Sequence, residues 1–127
     1  MHEQAVRSFF EAVNRGDMDA VSAGLAEDCV MVFPGERFGG RFEGRRRVSV
    51  FFKSNRRLFR DGLRFELSWV GDCGDTAVAQ WTNAGVTKSG EDYSNRGVTL
   101  FRFDDQGLVA EIQDYLDTER LAATWPR

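Results

Sequence analysis

The sequence predicts an α+β domain in which helices cover one face of a curved antiparallel sheet. Two patterns predict it. Apolar residues recur at helical spacing through the first half of the chain, and from Leu63 onward they alternate with polar residues at period two, in runs separated by Gly/Asp-rich turns. Helices followed by hairpin-linked strands give an architecture in which one sheet face packs on the helices. A third observation concerns the interior: 11 phenylalanines and 3 tryptophans among 127 residues supply an aromatic core or the lining of a cavity.

Val6, Phe9, Phe10 and Val13 hold the i, i+3, i+4, i+7 spacing of an amphipathic helix, which Gly16 ends. Asp17 caps a short second helix carrying Met18, Val21 and Leu25. The apolar run from Cys29 to Phe33, stopped by Pro34-Gly35, reads as a buried strand leading into a glycine-rich loop through Gly39, Gly40 and Gly44 that can border a cavity mouth. From about Arg45 to Arg60, Val48, Phe51, Phe52, Asn55, Leu58 and Phe59 keep helical spacing and predict a third helix.

Leu63, Phe65, Leu67 and Trp69 then alternate with Arg64, Glu66 and Ser68, the signature of a half-buried strand. Gly71 to Asp75 is a turn, Thr76 to Thr87 a strand, Lys88 to Asp92 a turn and Tyr93 to Phe103 a strand. Asp104-Asp105-Gln106-Gly107 makes the last hairpin, and a final strand runs from Leu108 to about Leu116. Asp117 or Thr118 caps a C-terminal helix through Ala123, before Trp125-Pro126. With no repeat, linker or low-complexity stretch, residues 1–127 read as a single domain.

A net charge of -3 and a pI near 5.2 give no global attraction for nucleic acid or anionic membrane. Neither is expected as a partner. No apolar run approaches the roughly 20 residues that span a bilayer, and the start lacks a signal-peptide pattern, so a cytoplasmic location is expected. Arg45, Arg46, Arg47, Lys53, Arg56, Arg57 and Arg60 read as the solvated face of the third helix. Cys29 and Cys73 match no CxxC pattern and His2 is the single histidine, so no metal, no cofactor and no histidine triad is expected.

Strand parity draws attention to one carboxylate. Leu108, Ala110, Ile112, Asp114 and Leu116 share a face by alternation, so Asp114 is expected among apolar neighbours, where desolvation raises a carboxyl pKa toward the range of an acid or base. The alternative is a buried Asp satisfied by a neighbouring donor. Across the hairpin, Tyr93, Asn95, Thr99 and Phe101 line one face, and Trp81 and Asn83 lie on the strand before it. Polar groups among aromatics resemble a ligand pocket. Asn83, Asn95 and Thr99 are candidates to orient a carbonyl or hydroxyl, or else structural hydrogen-bond partners. The outer side of the same strand, with Ser94, Arg96, Val98, Leu100 and Arg102, suits a moderately polar homodimer interface. Glu36 and Glu43 in the glycine-rich loop stand within reach of a cavity mouth.

Several phrases resemble the NTF2-like superfamily, most closely its SnoaL-like, ketosteroid-isomerase-like branch: Phe9-Phe10-Glu11-Ala12-Val13-Asn14-Arg15-Gly16-Asp17, Ala26-Glu27-Asp28-Cys29-Val30, Phe42-Glu43-Gly44-Arg45, Asn95-Arg96-Gly97-Val98, Phe101-Arg102-Phe103 and Asp114-Tyr115-Leu116-Asp117-Thr118. The resemblance covers nearly the whole chain. It implies a cone of three helices against a strongly curved mixed sheet, a hydrophobic cavity inside, and frequent dimerisation through the outer sheet face.

The resemblance also implies what is missing. The tyrosine and two aspartates of steroid isomerases fall on Phe9, Phe33 and Thr99, so the chain is not a standard ketosteroid isomerase. Asp114-Tyr115 matches the last aspartate of limonene-type epoxide hydrolases, but that set's other two positions fall on Trp81 and Asn83. A polyketide cyclase-like enzyme needs only an apolar cavity and one acid/base carboxylate.

The expectation is a cofactor-independent isomerase, cyclase or hydrolase with Asp114 as its catalytic residue. Phe9, Phe33, Trp81, Asn83, Tyr93, Asn95, Thr99, Phe101 and Ile112 are expected around a small apolar molecule. A non-catalytic ligand-binding protein and a dimeric adaptor are the alternatives.

Overall fold

A computed structural model describes residues 1–124. The elements run α1 (Glu3–Arg15), α2 (Met18–Ala23), β1 (Leu25–Phe33), β2 (Gly40–Glu43), α3 (Arg45–Leu58), β3 (Phe59–Cys73), β4 (Thr76–Thr87), β5 (Asp92–Phe103), β6 (Val109–Leu116) and α4 (Thr118–Thr124). The strands form one mixed sheet in the order β2-β1-β6-β5-β4-β3, in which β1 and β6 are parallel and every other pair is antiparallel. The sheet curls without closing, and α1, α2 and α3 pack inside the curl, as the resemblance implies.

The helix signals act as read. Gly16 takes the left-handed conformation (φ 73°) that ends α1. Asp17 accepts a hydrogen bond from Ala20 N at 3.1 Å and starts α2. Asp117, not Thr118, caps α4, accepting from Arg120 N at 3.0 Å. The stripe on α1 buries Val6, Phe9, Phe10 and Val13, with Phe9 edge-on to Phe52 and to Phe101 at ring separations of 5.2 and 5.4 Å. Asn14 on the same helix closes an open sheet edge. Its amide donates to Phe65 O at 2.8 Å and accepts from Phe65 N at 2.7 Å, satisfying backbone groups of the edge strand β3.

Several boundaries differ from the sequence expectation, among them the turn expected over Gly71 to Asp75, where β3 continues to Cys73 by pairing with β4. Leu25 belongs to β1 rather than to the second helix, because Gly24 ends α2 and its carbonyl accepts from Val109 N at 2.9 Å, pulling the chain onto β6. The glycine-rich loop contains the short edge strand β2, paired from Val30↔Glu43 to Phe33↔Gly40. Phe59 and Arg60 begin β3 instead of ending the third helix, and Asp61 (φ 59°) with Gly62 (φ 77°) supports the irregularity between Arg60 and Arg64. The hairpin strand starts at Val109 rather than Leu108. Trp125-Pro126 lies outside the described residues.

Two bulges break the simple alternation. In β3 the register shifts between Leu67 and Trp69, so Leu67 pairs with inward Trp81 while Trp69 pairs with outward Gln80. Trp69 is therefore 55% exposed on the outer face, and Val70 takes the inner position expected of it. In β6 the shift against β5 turns Val109 inward, so the face assigned to Leu108, Ala110 and Ile112 is not continuous. Beyond that shift, Ile112 and Asp114 keep the predicted inward parity, paired with Phe101 and Thr99.

Candidate functional site

α3 and the inner faces of β3, β4, β5 and β6 border a cavity of about 320 Å³. Phe51, Phe52, Ser54, Asn55 and Leu58 come from α3, Phe59, Leu63 and Phe65 from β3, Trp81 and Asn83 from β4, Tyr93 from β5, and Asp114 and Leu116 from β6. Phe33, Phe38 and Leu121 complete the wall from β1, the loop after it and α4. Helical periodicity on α3 and inward parity on the strands place these side chains here. Aromatic rings dominate the wall: Phe33 and Phe51 lie 5.1 Å apart, Phe65 and Trp81 5.0 Å, Phe59 and Tyr93 5.4 Å.

Asp114 is the one charged side chain in this wall among the described residues. Its Oδ1 accepts the Thr99 hydroxyl at 2.5 Å, and the Thr99 oxygen in turn accepts from Trp81 Nε1 at 2.8 Å. The side chain keeps partial exposure where it lines the cavity. Desolvation by the surrounding protein pushes its pKa up to about 6, and the hydrogen bond from Thr99 opposes part of that rise. A group that titrates so close to neutral pH can accept a proton or return one.

The other polar groups divide into two kinds. Asn83 is 7% exposed, and its Oδ1 is buried with no hydrogen-bond partner. Asn95 is fully engaged: its Nδ2 donates to Tyr93 Oη at 2.8 Å and to Asp117 O at 3.0 Å, and its Oδ1 accepts from Arg96 N at 2.8 Å. Burial pushes the Tyr93 phenol pKa up, so Tyr93 is neutral at physiological pH.

Of the residues expected around a ligand, Phe33, Trp81, Asn83 and Tyr93 line the cavity with Asp114. Thr99 stands behind Asp114, and Asn95 behind Tyr93. Phe9, Phe101 and Ile112 are packed in the core and do not line the cavity. Sequence alone does not single out the wall from α3, nor Phe38 and Leu121. The helical stripe on α3 is visible but indistinguishable in sequence from ordinary core. Glu36 and Glu43 are both exposed, and Glu43 pairs with Arg41 at 2.7 Å.

A wider depression of about 660 Å³ lies on the outer sheet face, bordered by Arg64, Glu66, Arg96, Asp117 and Arg120. It is open and charged, and it lacks the apolar enclosure that holds a small molecule. No group of three or more His, Cys, Asp and Glu side chains capable of holding a metal occurs among the described residues. No helix among them is long and apolar enough to cross a membrane.

Similar folds are found among solved structures. A protein named Bal32a, from a soil-derived mobile gene cassette, superposes with a TM-score of 0.90 at 20% identity, covering 98% of this chain and 96% of its own. An LEH-like epoxide hydrolase of Mycobacterium tuberculosis gives 0.78 at 22% identity, with 96% and 86% covered. A Mycobacterium tuberculosis protein in complex with estradiol-17beta-hemisuccinate gives 0.80 at 20%, with 91% and 93% covered. A comparison with curated proteins finds no match. Residues 6–112 match the model of the SnoaL-like domain, and with this cone-shaped fold the chain belongs to the SnoaL-like family of NTF2-like proteins.

Proposed function

We propose that the protein holds a small, flat, uncharged apolar molecule in its inner cavity and that Asp114 moves a proton on it. One observation carries this reading: the single carboxylate of an aromatic-walled cavity has a pKa near 6. Among the described residues the wall contains no Lys, Arg or His to pair with an anionic ligand, and ionised Asp114 would repel one, so the chemistry favours neutral molecules. Asn83 lines the cavity, and a turn of its side chain that brings the buried, unpartnered Oδ1 or the amide N–H to the cavity surface would orient a ligand hydroxyl or carbonyl. The estradiol-17beta-hemisuccinate held by a protein of the same fold supports a flat apolar skeleton and not the absence of charge, since its succinate arm is anionic.

The reaction class that fits is a cofactor-independent enolisation, cyclisation or isomerisation, with proximity supplying much of the acceleration and Asp114 the proton transfer. Epoxide hydrolysis fits less well, since among the described residues neither an arginine nor a second carboxylate lines the cavity. That same isolation of Asp114 favours a second reading, a protein that sequesters the ligand unchanged. The reading also places the protein in the cytoplasm, supported by Cys29 and Cys73 both being free thiols.

Native mass spectrometry on protein from its own source, with identification of what is bound, tests the ligand. A discrete neutral apolar metabolite is expected, and a tightly held anion would overturn the class. Incubation then separates the two readings. A product formed by the wild type and not by Asp114→Asn supports catalysis, and quantitative recovery of unchanged ligand supports sequestration.

A further inference from the structure

We propose that Trp81 and Thr99 form a one-way hydrogen-bond relay that positions Asp114, fixing Oδ1 and leaving Oδ2 as the oxygen that exchanges a proton with the ligand. The inference rests on the acid/base reading of Asp114 and adds two positioning residues and a direction to it.

The direction follows from donor counting. An indole N–H only donates, so the Trp81–Thr99 contact at 2.8 Å makes the Thr99 oxygen an acceptor. A threonine hydroxyl has one proton, and Asp114 Oδ1 at 2.5 Å is its partner. Trp81 and Thr99 are 2% and 3% exposed, so neither group has water as an alternative. If the carboxyl took its proton on Oδ1, the Thr99 proton would lose its acceptor inside the protein. Protonation is therefore directed to Oδ2, which has no hydrogen-bond partner among the described residues and belongs to a side chain that lines the cavity. In the forward step a ligand C–H or O–H bond gives its proton to Oδ2 and its electron pair stays on the ligand; the reverse step returns the proton.

Strand register holds the relay in place. Thr99 sits directly opposite Asp114 across β5 and β6. Trp81 sits opposite Gly97, two residues from Thr99 on the same face, and the missing side chain at Gly97 leaves room for the indole to reach across. The other titratable group lining the cavity is Tyr93 on β5; no charged side chain from α3, β3 or α4 lines it among the described residues.

The test is a carbon-13 NMR titration of the aspartate carboxyls, which needs no substrate. In Thr99→Val the donor to Oδ1 is gone, and the Asp114 midpoint rises by about half a unit to one unit. Thr99→Ser keeps the wild-type midpoint. Trp81→Phe frees the hydroxyl rotor and raises the midpoint by a smaller amount. An unchanged or lowered midpoint in Thr99→Val overturns the relay. If that variant does not fold, an Asp114 midpoint in Trp81→Phe equal to that of Thr99→Ser overturns it equally. Failure of the acid/base reading looks different: the midpoint moves as expected, yet Asp114→Asn turns over ligand like the wild type.

Discussion

A Cβ on Gly97 would stand 2.6 Å from the Trp81 ring and 2.5 Å from the Tyr115 carbonyl, so the absence of a side chain on β5 makes room for the indole of β4. Neither obstacle yields cheaply, since one is a buried ring and the other is backbone in the neighbouring strand. Gly97→Ala is expected to destabilise the fold by about 1 to 3 kcal/mol in urea unfolding, the usual range for overpacking a tight core. It should also shift the Trp81 indole N–H resonance as the contact with Thr99 lengthens. Wild-type stability with an unmoved resonance would refute this account.

Asp114 makes stability depend on pH with a defined sign. Its folded pKa is raised from the ordinary value near 4 to about 6, so the folded state holds the proton more tightly than the unfolded chain does. The contribution is fully present below about pH 4, is lost as pH rises through about 6, and amounts to at most about 3 kcal/mol. Asp114→Asn removes the cost of the buried charge. Its melting temperature relative to wild type should therefore climb between about pH 4 and 6 and level off above that. A difference that does not vary with pH would show that Asp114 is not desolvated.

The inward direction of Asp114 was legible because Ile112, Asp114 and Leu116 alternate without interruption after the β6 irregularity. The bulges were not legible: nothing in Leu67-Ser68-Trp69 distinguishes a regular pleat from one with an extra residue, yet that residue turns Trp69 out to solvent. The spacing of Leu25 from Val21 suits either helix or strand, and the deciding contact, Gly24 with Val109, is 85 residues away. Thr99 was visible as an inward polar residue. Its role depends on which residues face it across two strand pairs, and register between strands is a tertiary property.

Asn83 opposes stability to function. A buried amide oxygen without a partner costs about 1 to 3 kcal/mol, and replacing it with an apolar group of similar shape recovers part of that cost. Asn83→Leu is expected to stabilise the free protein by about 1 kcal/mol in urea unfolding and to weaken binding of the identified ligand by about tenfold. A variant that is more stable and binds equally well would remove Asn83 from ligand recognition. One that is less stable would mean the amide is satisfied in solution.

The outer face of the sheet carries the expectation of a homodimer. Trp69, Gln80, Val98 and Tyr115 form one row across β3, β4, β5 and β6, each directly opposite the next in register. The two end members are large aromatics, 55% and 50% exposed. Such a row is aromatic at its ends, with Gln80 and Val98 between them, and charged at its margins, where Arg64, Glu66 and Arg96 are of mixed sign, a composition that suits a moderately polar two-fold interface. Light scattering at micromolar concentration should give twice the mass of the 14.4 kDa chain. Val98→Asp puts an unpaired charge at the centre of the row and should give the monomer mass, with the Asp114 titration unchanged because the substitution faces away from the cavity. A wild-type protein that is already monomeric would leave Trp69 and Tyr115 as solvent-exposed aromatics and end the dimer reading.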